Sequence, residues 1–113
     1  MSMFRLNSSH FFLVMNENKF QSNLKKEIRS RFPGCYILKT DPTDIQGMPD
    51  LLILHGNKWA SLEVKKSKSA PKRPNQDYRV NELNAMSYAA FIYPENKEEI
   101  LDEMARLFED HTS

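Results

Sequence analysis

The chain has 113 residues, 40% hydrophobic and 27% charged, with a formal net charge of +1. That length supports one domain with one modest core, and the composition is that of a globular chain, which excludes a disordered one. The near-neutral charge gives no global sign of a nucleic-acid binder, and three glycines with no GxGxxG or GxxxxGK pattern exclude a glycine-rich phosphate loop.

Residues 1–16 carry the run His10-Phe11-Phe12-Leu13-Val14-Met15, which has strand character. It reads as an edge strand, a dimer-forming N-terminal arm or an expression-derived end, outside a core of residues 17–110. The apolar runs fall far short of the roughly 20 residues that span a bilayer. No basic segment precedes a long apolar one as in a signal peptide. An intracellular, cytoplasmic protein with no membrane contact is therefore expected.

Residues 17–32 read as a helix that Asn16 or Asn18 can cap. Phe20, Leu24 and Ile28 form one apolar stripe, and Pro33-Gly34 stops it. Cys35 to Leu38 is a short strand. Its single cysteine rules out an intramolecular disulfide and a cysteine-based zinc site, and fits a reducing compartment as a small core residue. Residues 40–49 are loop, with Asp41 and Asp44 as turn residues. Asp50 to Leu54 is a second strand, Gly56-Asn57 a hairpin turn, and Lys58 to Lys66 a third strand.

Residues 67–75 form a basic, proline-containing loop. A helix follows from about Asn75 to Ser87, with Val80, Leu83 and Met86 at helical spacing. Ala89 to Tyr93 is a fourth strand closed by Pro94. A last helix carries Ile100, Leu101, Met104, Leu107 and Phe108. The order α-β-β-β-α-β-α defines an α/β (α+β) domain spanning residues 1–113, with a mixed central sheet flanked by helices.

Strand alternation turns this order into a candidate site. Glu63 and Lys65 point to one face of the third strand, and Leu62 and Val64 to the other, apolar face. Charged side chains on a central strand are costly unless paired or bound to metal. A turn at Gly56-Asn57 brings the start of the second strand beside the end of the third, hence Asp50 beside Glu63 and Lys65. Two carboxylates and a lysine suit Mg²⁺ or Mn²⁺, which take hard oxygen ligands. Such an ion activates water and offsets phosphodiester charge, and the lysine orients the water or stabilises developing negative charge.

Just downstream, Lys65, Lys66, Lys68, Lys72 and Arg73 fall within nine residues. A basic loop beside a metal site fits contact with a nucleic-acid backbone, which positions without reading sequence. Trp59 shares the Glu63 face by parity and is expected to be partly buried near the hairpin end. His10, His55 and His111 are scattered with no zinc spacing, and a surface place is expected for each. Nothing in the sequence marks an organic cofactor.

Pro49-Asp50, twelve residues, then Glu63-Val64-Lys65 resembles the signature of the PD-(D/E)XK nuclease superfamily, whose core order α-β-β-β-α-β it matches. Gly47-Met48-Pro49-Asp50-Leu51, Gln76 at a helix start, and Phe91-Ile92-Tyr93 before a final helix are similar to its virus-type replication-repair (VRR-NUC) branch. The resemblance covers about residues 18–110. Members often have glycine before the fourth strand, where this chain has Ser87-Tyr88.

The resemblance implies a restriction-endonuclease-like fold and a Mg²⁺- or Mn²⁺-dependent endodeoxyribonuclease. It implies Asp50 and Glu63 as metal ligands, the Val64 carbonyl as a further ligand, and Glu27 as an acidic residue added from the first helix. Lys65 matches the catalytic lysine, and Gln76 the glutamine that supports the site. The implied substrates are structured DNA such as junctions, flaps or ends. The implied setting is intracellular, phage- or virus-encoded in a bacterial host. Cutting both strands of a junction needs two sites, hence a homodimer. The alternatives are a nucleic-acid-binding module of the same fold without catalysis, and a subunit active only in a complex.

Overall fold

The computed structural model describes residues 2–41 and 43–109, with the side chains of residues 2–15 outside the description. Helix α1 spans Ser2–Arg31, much longer than expected, and it includes the run from Phe11 to Met15. That run is helix, not an edge strand. A short apolar run fits either element. With no glycine or proline from Ser2 to Arg31, each residue added to a nucleated helix gains a hydrogen bond at low cost. Asn16 and Asn18 consequently sit inside the helix and not at its cap. Leu24, Ile28 and Phe32 are buried as the stripe requires. Phe32 N–H still donates to the Ile28 carbonyl at 2.8 Å, and Gly34, at φ +88°, turns the chain out of the helix.

The remaining elements are β1 (Tyr36–Lys39), β2 (Leu51–His55), β3 (Lys58–Val64), α2 (Gln76–Met86), β4 (Ala89–Ile92) and α3 (Lys97–Phe108). They make an α+β fold with a four-stranded mixed sheet and three helices. The strand order is β1-β2-β3-β4, antiparallel from β1 to β3, while α2 carries the chain to a parallel β4.

The β2–β3 register pairs Leu51 with Leu62 and Ile53 with Ala60. These four share one face with Val64 and Ile92 and pack against Leu24, Ile28 and Phe32 of the α1 end and Ile100, Leu101, Met104 and Phe108 of α3. Each fully buried leucine or isoleucine contributes about 1.5–3 kcal/mol. His55 has the parity of Leu51 and Ile53, and so comes to this face and not to the surface. Its ring meets Phe108 edge-on at 5.2 Å between centroids and Phe32 at 6.2 Å. The side chains of His10 and His111 lie outside the description. On the opposite face α2 packs on β3 and β4. Among the described residues, no helix is long and apolar enough to cross a membrane.

Candidate active site

The site forms where β2 begins and β3 ends. Thr40 N–H donates to the Asp50 carbonyl at 2.9 Å and the Thr40 hydroxyl to the Pro49 carbonyl, which ties down the turn into β2. With Leu51 opposite Leu62, Asp50 stands beside Glu63 and Val64, and its Oδ2 accepts the Val64 N–H at 3.0 Å. The N–H and C=O of one strand residue point the same way, so the Val64 carbonyl also faces the Asp50 side.

Glu63 is 2% exposed. Its Oε2 accepts the Gln76 side-chain amide at 2.9 Å, with Lys65 Nζ at 3.6 Å and an Arg73 guanidinium nitrogen at 4.0 Å. Its Oε1 is buried with no partner. Burial, and then the charge of Asp50, push the Glu63 carboxyl up to about 7, against the pull of Lys65, Arg73 and Gln76. Lys65 Nζ also donates to the Pro71 carbonyl at 3.0 Å, which fastens the basic loop over the site.

Gln76 is fully buried and works in two directions. Its amide holds Glu63, while its Oε1 accepts the Arg73 N–H at 2.9 Å. Asn75 just before it adopts φ +69°, a left-handed conformation that asparagine tolerates. Gly47, at φ +82°, lies so close that an added Cβ would sit 2.8 Å from the Asn75 backbone. Only glycine lets the loop leading to Asp50 press against the start of α2.

A cleft of about 260 Å³ is lined by Asp50, Glu63, Lys65, Lys66, Arg73 and Glu17. Five of these were expected at the site. Glu27 was expected too and is elsewhere: its Oε1 accepts from Lys97 Nζ at 3.2 Å, at the start of α3. Ten residues of helix separate Glu27 from Glu17, about 15 Å along the axis. Glu17 is the acidic residue of α1 that reaches the cleft. It lies seven residues before Leu24, within about 20° of the same helical direction. That stripe was the signal for it, since Glu17 is the first residue of the expected helix and falls on its apolar side.

The basic loop divides as well. Lys66 and Arg73 line the cleft. Lys72 does not: its amine pairs with Asp77 at 2.9 Å and sits 4.3 Å over the Phe91 ring. Lys68 is exposed beyond the cleft, with its backbone N–H on Glu95. Asp41 makes the expected turn, accepting the Thr43 N–H and hydroxyl. Among the described residues, no three Asp, Glu, His or Cys side chains converge as a metal-ligand group. In comparisons with known proteins, no family model matches the chain, and neither a curated protein nor a solved structure matches it.

Proposed function

We propose that this chain is a Mg²⁺- or Mn²⁺-dependent nuclease of the PD-(D/E)XK kind, resembling the virus-type replication-repair branch, that hydrolyses DNA phosphodiester bonds. One observation carries the reading. Asp50, Glu63 and Lys65 line one cleft, and Glu63 Oε1 is buried there without a partner. An unpaired buried carboxylate oxygen is costly, and a hard divalent cation is the partner it fits. Asp50 and Glu63 would hold the ion, with the Val64 carbonyl as a further oxygen donor and Glu17 lining the cleft without converging on them. When bound, the ion lowers the pKa of its water and offsets charge on the phosphodiester.

The chain's own groups do the rest. The Val64 N–H orients Asp50, and Gln76 orients Glu63. The Lys65 ammonium, held by the Pro71 carbonyl, offers its remaining protons to a phosphate oxygen as negative charge develops. Lys66 and Arg73 at the cleft take the flanking backbone by charge alone. Cutting both strands of a branched DNA needs two such sites, and so a homodimer, which size measurement in solution tests.

The deciding experiment incubates the protein with supercoiled plasmid and branched DNA in Mg²⁺, Mn²⁺ or EDTA, beside Lys65→Ala. Cutting that needs the metal and is lost in the variant supports the reading. DNA binding without cutting in every metal overturns it. That outcome would favour a binding module without catalysis, a reading supported by the lack of a third converging acidic or histidine ligand among the described residues.

A further inference from the structure

The α2 side of the sheet also carries an open apolar groove of about 270 Å³. Leu52, Leu54 and Trp59 form its floor, and Met48 and Leu83 its walls. Leu52 and Leu54 stay half-buried while Leu51 and Ile53 between and beside them are fully buried. The two polar lining residues are already committed: Thr40 Oγ1 donates to the Pro49 carbonyl and Ser61 Oγ to the Leu51 carbonyl. The groove therefore presents a flat apolar platform with no hydrogen-bond code of its own.

Two chain segments, 48–52 and 61–63, join this groove to the cleft. Met48 and Leu52 stand two residues on either side of Asp50, and Ser61 stands two before Glu63. Two extended residues span about 7 Å, a distance that one extended nucleotide covers. Gly47, next to Met48 of the groove, packs tightly on the backbone of Asn75, next to Gln76 of the site. The exposed Gln46 and Asn75 amides lie at this contact, bonded to each other at 3.2 Å. A strand backbone passing over this contact would meet the two exposed amide side chains.

We infer that the groove is a stacking site for an unpaired base of the substrate strand, next to the phosphodiester held in the cleft. The inference builds on the nuclease reading and adds a substrate class to it: single-stranded or locally unpaired DNA. A base inside a duplex is paired and stacked, and reaches a protein platform only after leaving the helix. Trp59 supplies the aromatic face, and stacking on it tolerates any base. The open side of the groove leaves the polar base edges in water.

Trp59 is the single tryptophan of the chain, so its emission reports on the groove directly. The test titrates the protein, with Ca²⁺ in place of Mg²⁺, with a short oligothymidylate, an abasic strand of the same length and a blunt duplex. The oligothymidylate should change Trp59 emission and bind about tenfold tighter than the abasic strand, the order of one base–aromatic stack, while the duplex leaves emission unchanged. Trp59→Ala should weaken oligothymidylate binding about tenfold and leave abasic binding alone, its thermal melt serving as the fold control. If emission ignores all three DNAs while Mg²⁺ still supports plasmid cutting, the groove inference fails and the nuclease reading stands. If no DNA is bound or cut, both fail. If light scattering shows a dimer that Trp59→Ala dissociates, and DNA leaves the parent emission unchanged, the groove is a contact between copies and the inference is overturned.

Discussion

The sheet face under α1 and α3 is a hydrocarbon core, with Leu51, Ile53, Ala60 and Leu62 against Leu24, Ile28, Leu101 and Met104 and His55 at its edge. The face under α2 buries Ser61, Glu63 and Gln76 to the same depth. Leu62 and Glu63 are neighbours on β3, yet burial stabilises the first and opposes the charge of the second. Ser61 and Gln76 are each bonded, but Glu63 keeps one oxygen without a partner and a carboxyl raised to about 7. The first face leaves His55 Nδ1 buried without a partner beside Phe108. The second face leaves a carboxylate oxygen, the atom that the proposed cation would take.

The contrast can be broken most sharply at Lys65. Lys65→Ala should slow plasmid cutting about 10²–10³-fold, the usual loss of one positioned electrostatic group, with urea stability little changed. On the core face the effect should be structural. Leu62→Ala should cost about 2–5 kcal/mol in urea unfolding, the range for truncating a buried leucine.

Glu63→Gln sets the two faces against each other. The folded carboxyl near 7 lies above its ordinary value of 4.5, so between those values the folded state binds more protons than the unfolded one. Stability from this group is present at low pH and is lost as pH rises through 7. The loss is about 3 kcal/mol for the metal-free protein. Glu63→Gln should remove that slope, leaving the metal-free variant more stable than the parent at pH 8 and unable to cut DNA. Unfolding curves at pH 5 and pH 8 with EDTA read it. A parent with no such slope would deny the buried charge. Added Mg²⁺ should stabilise the parent at pH 8 and not the variant.

Smaller effects sharpen the assignment within the site. Glu17→Gln should raise the Mg²⁺ concentration needed for half-maximal cutting several-fold, by loss of one negative charge at the cleft. Glu27→Gln should leave it unchanged, and the reverse result would return Glu27 to the site. Smallest is Lys72→Ala, with about 1 kcal/mol or less in stability from its exposed pair and ring contact. Its effect on DNA affinity should be weaker than that of Arg73→Ala, as binding titrations at fixed salt would read.

The order of elements was legible because each carries its own local signal: the Leu24–Ile28 stripe, the Gly56 turn, the apolar face of α3. Asp50, Glu63 and Lys65 were legible for a related reason, since strand alternation and one hairpin register bring them together. The long start of α1 was not, because the run from Phe11 to Met15 satisfies strand and helix alike. Lys72 read as a basic-loop cation, and nothing local announced that Asp77 and Phe91 would take it.

The sequence by itself determined the α-β-β-β-α-β-α order, the two faces of β3 and the meeting of the carboxylates with Lys65. Periods of 3.6 and 2 are short-range properties of the chain. Tertiary structure alone decided that Glu17 and not Glu27 reaches the cleft, that Gln76 bridges Glu63 to the basic loop, and that an apolar groove opens two residues from the carboxylates. Each of these depends on how α1, α2 and the loop before Asp50 lie across the sheet. That placement is set by packing among residues far apart in the chain, with no local period to record it.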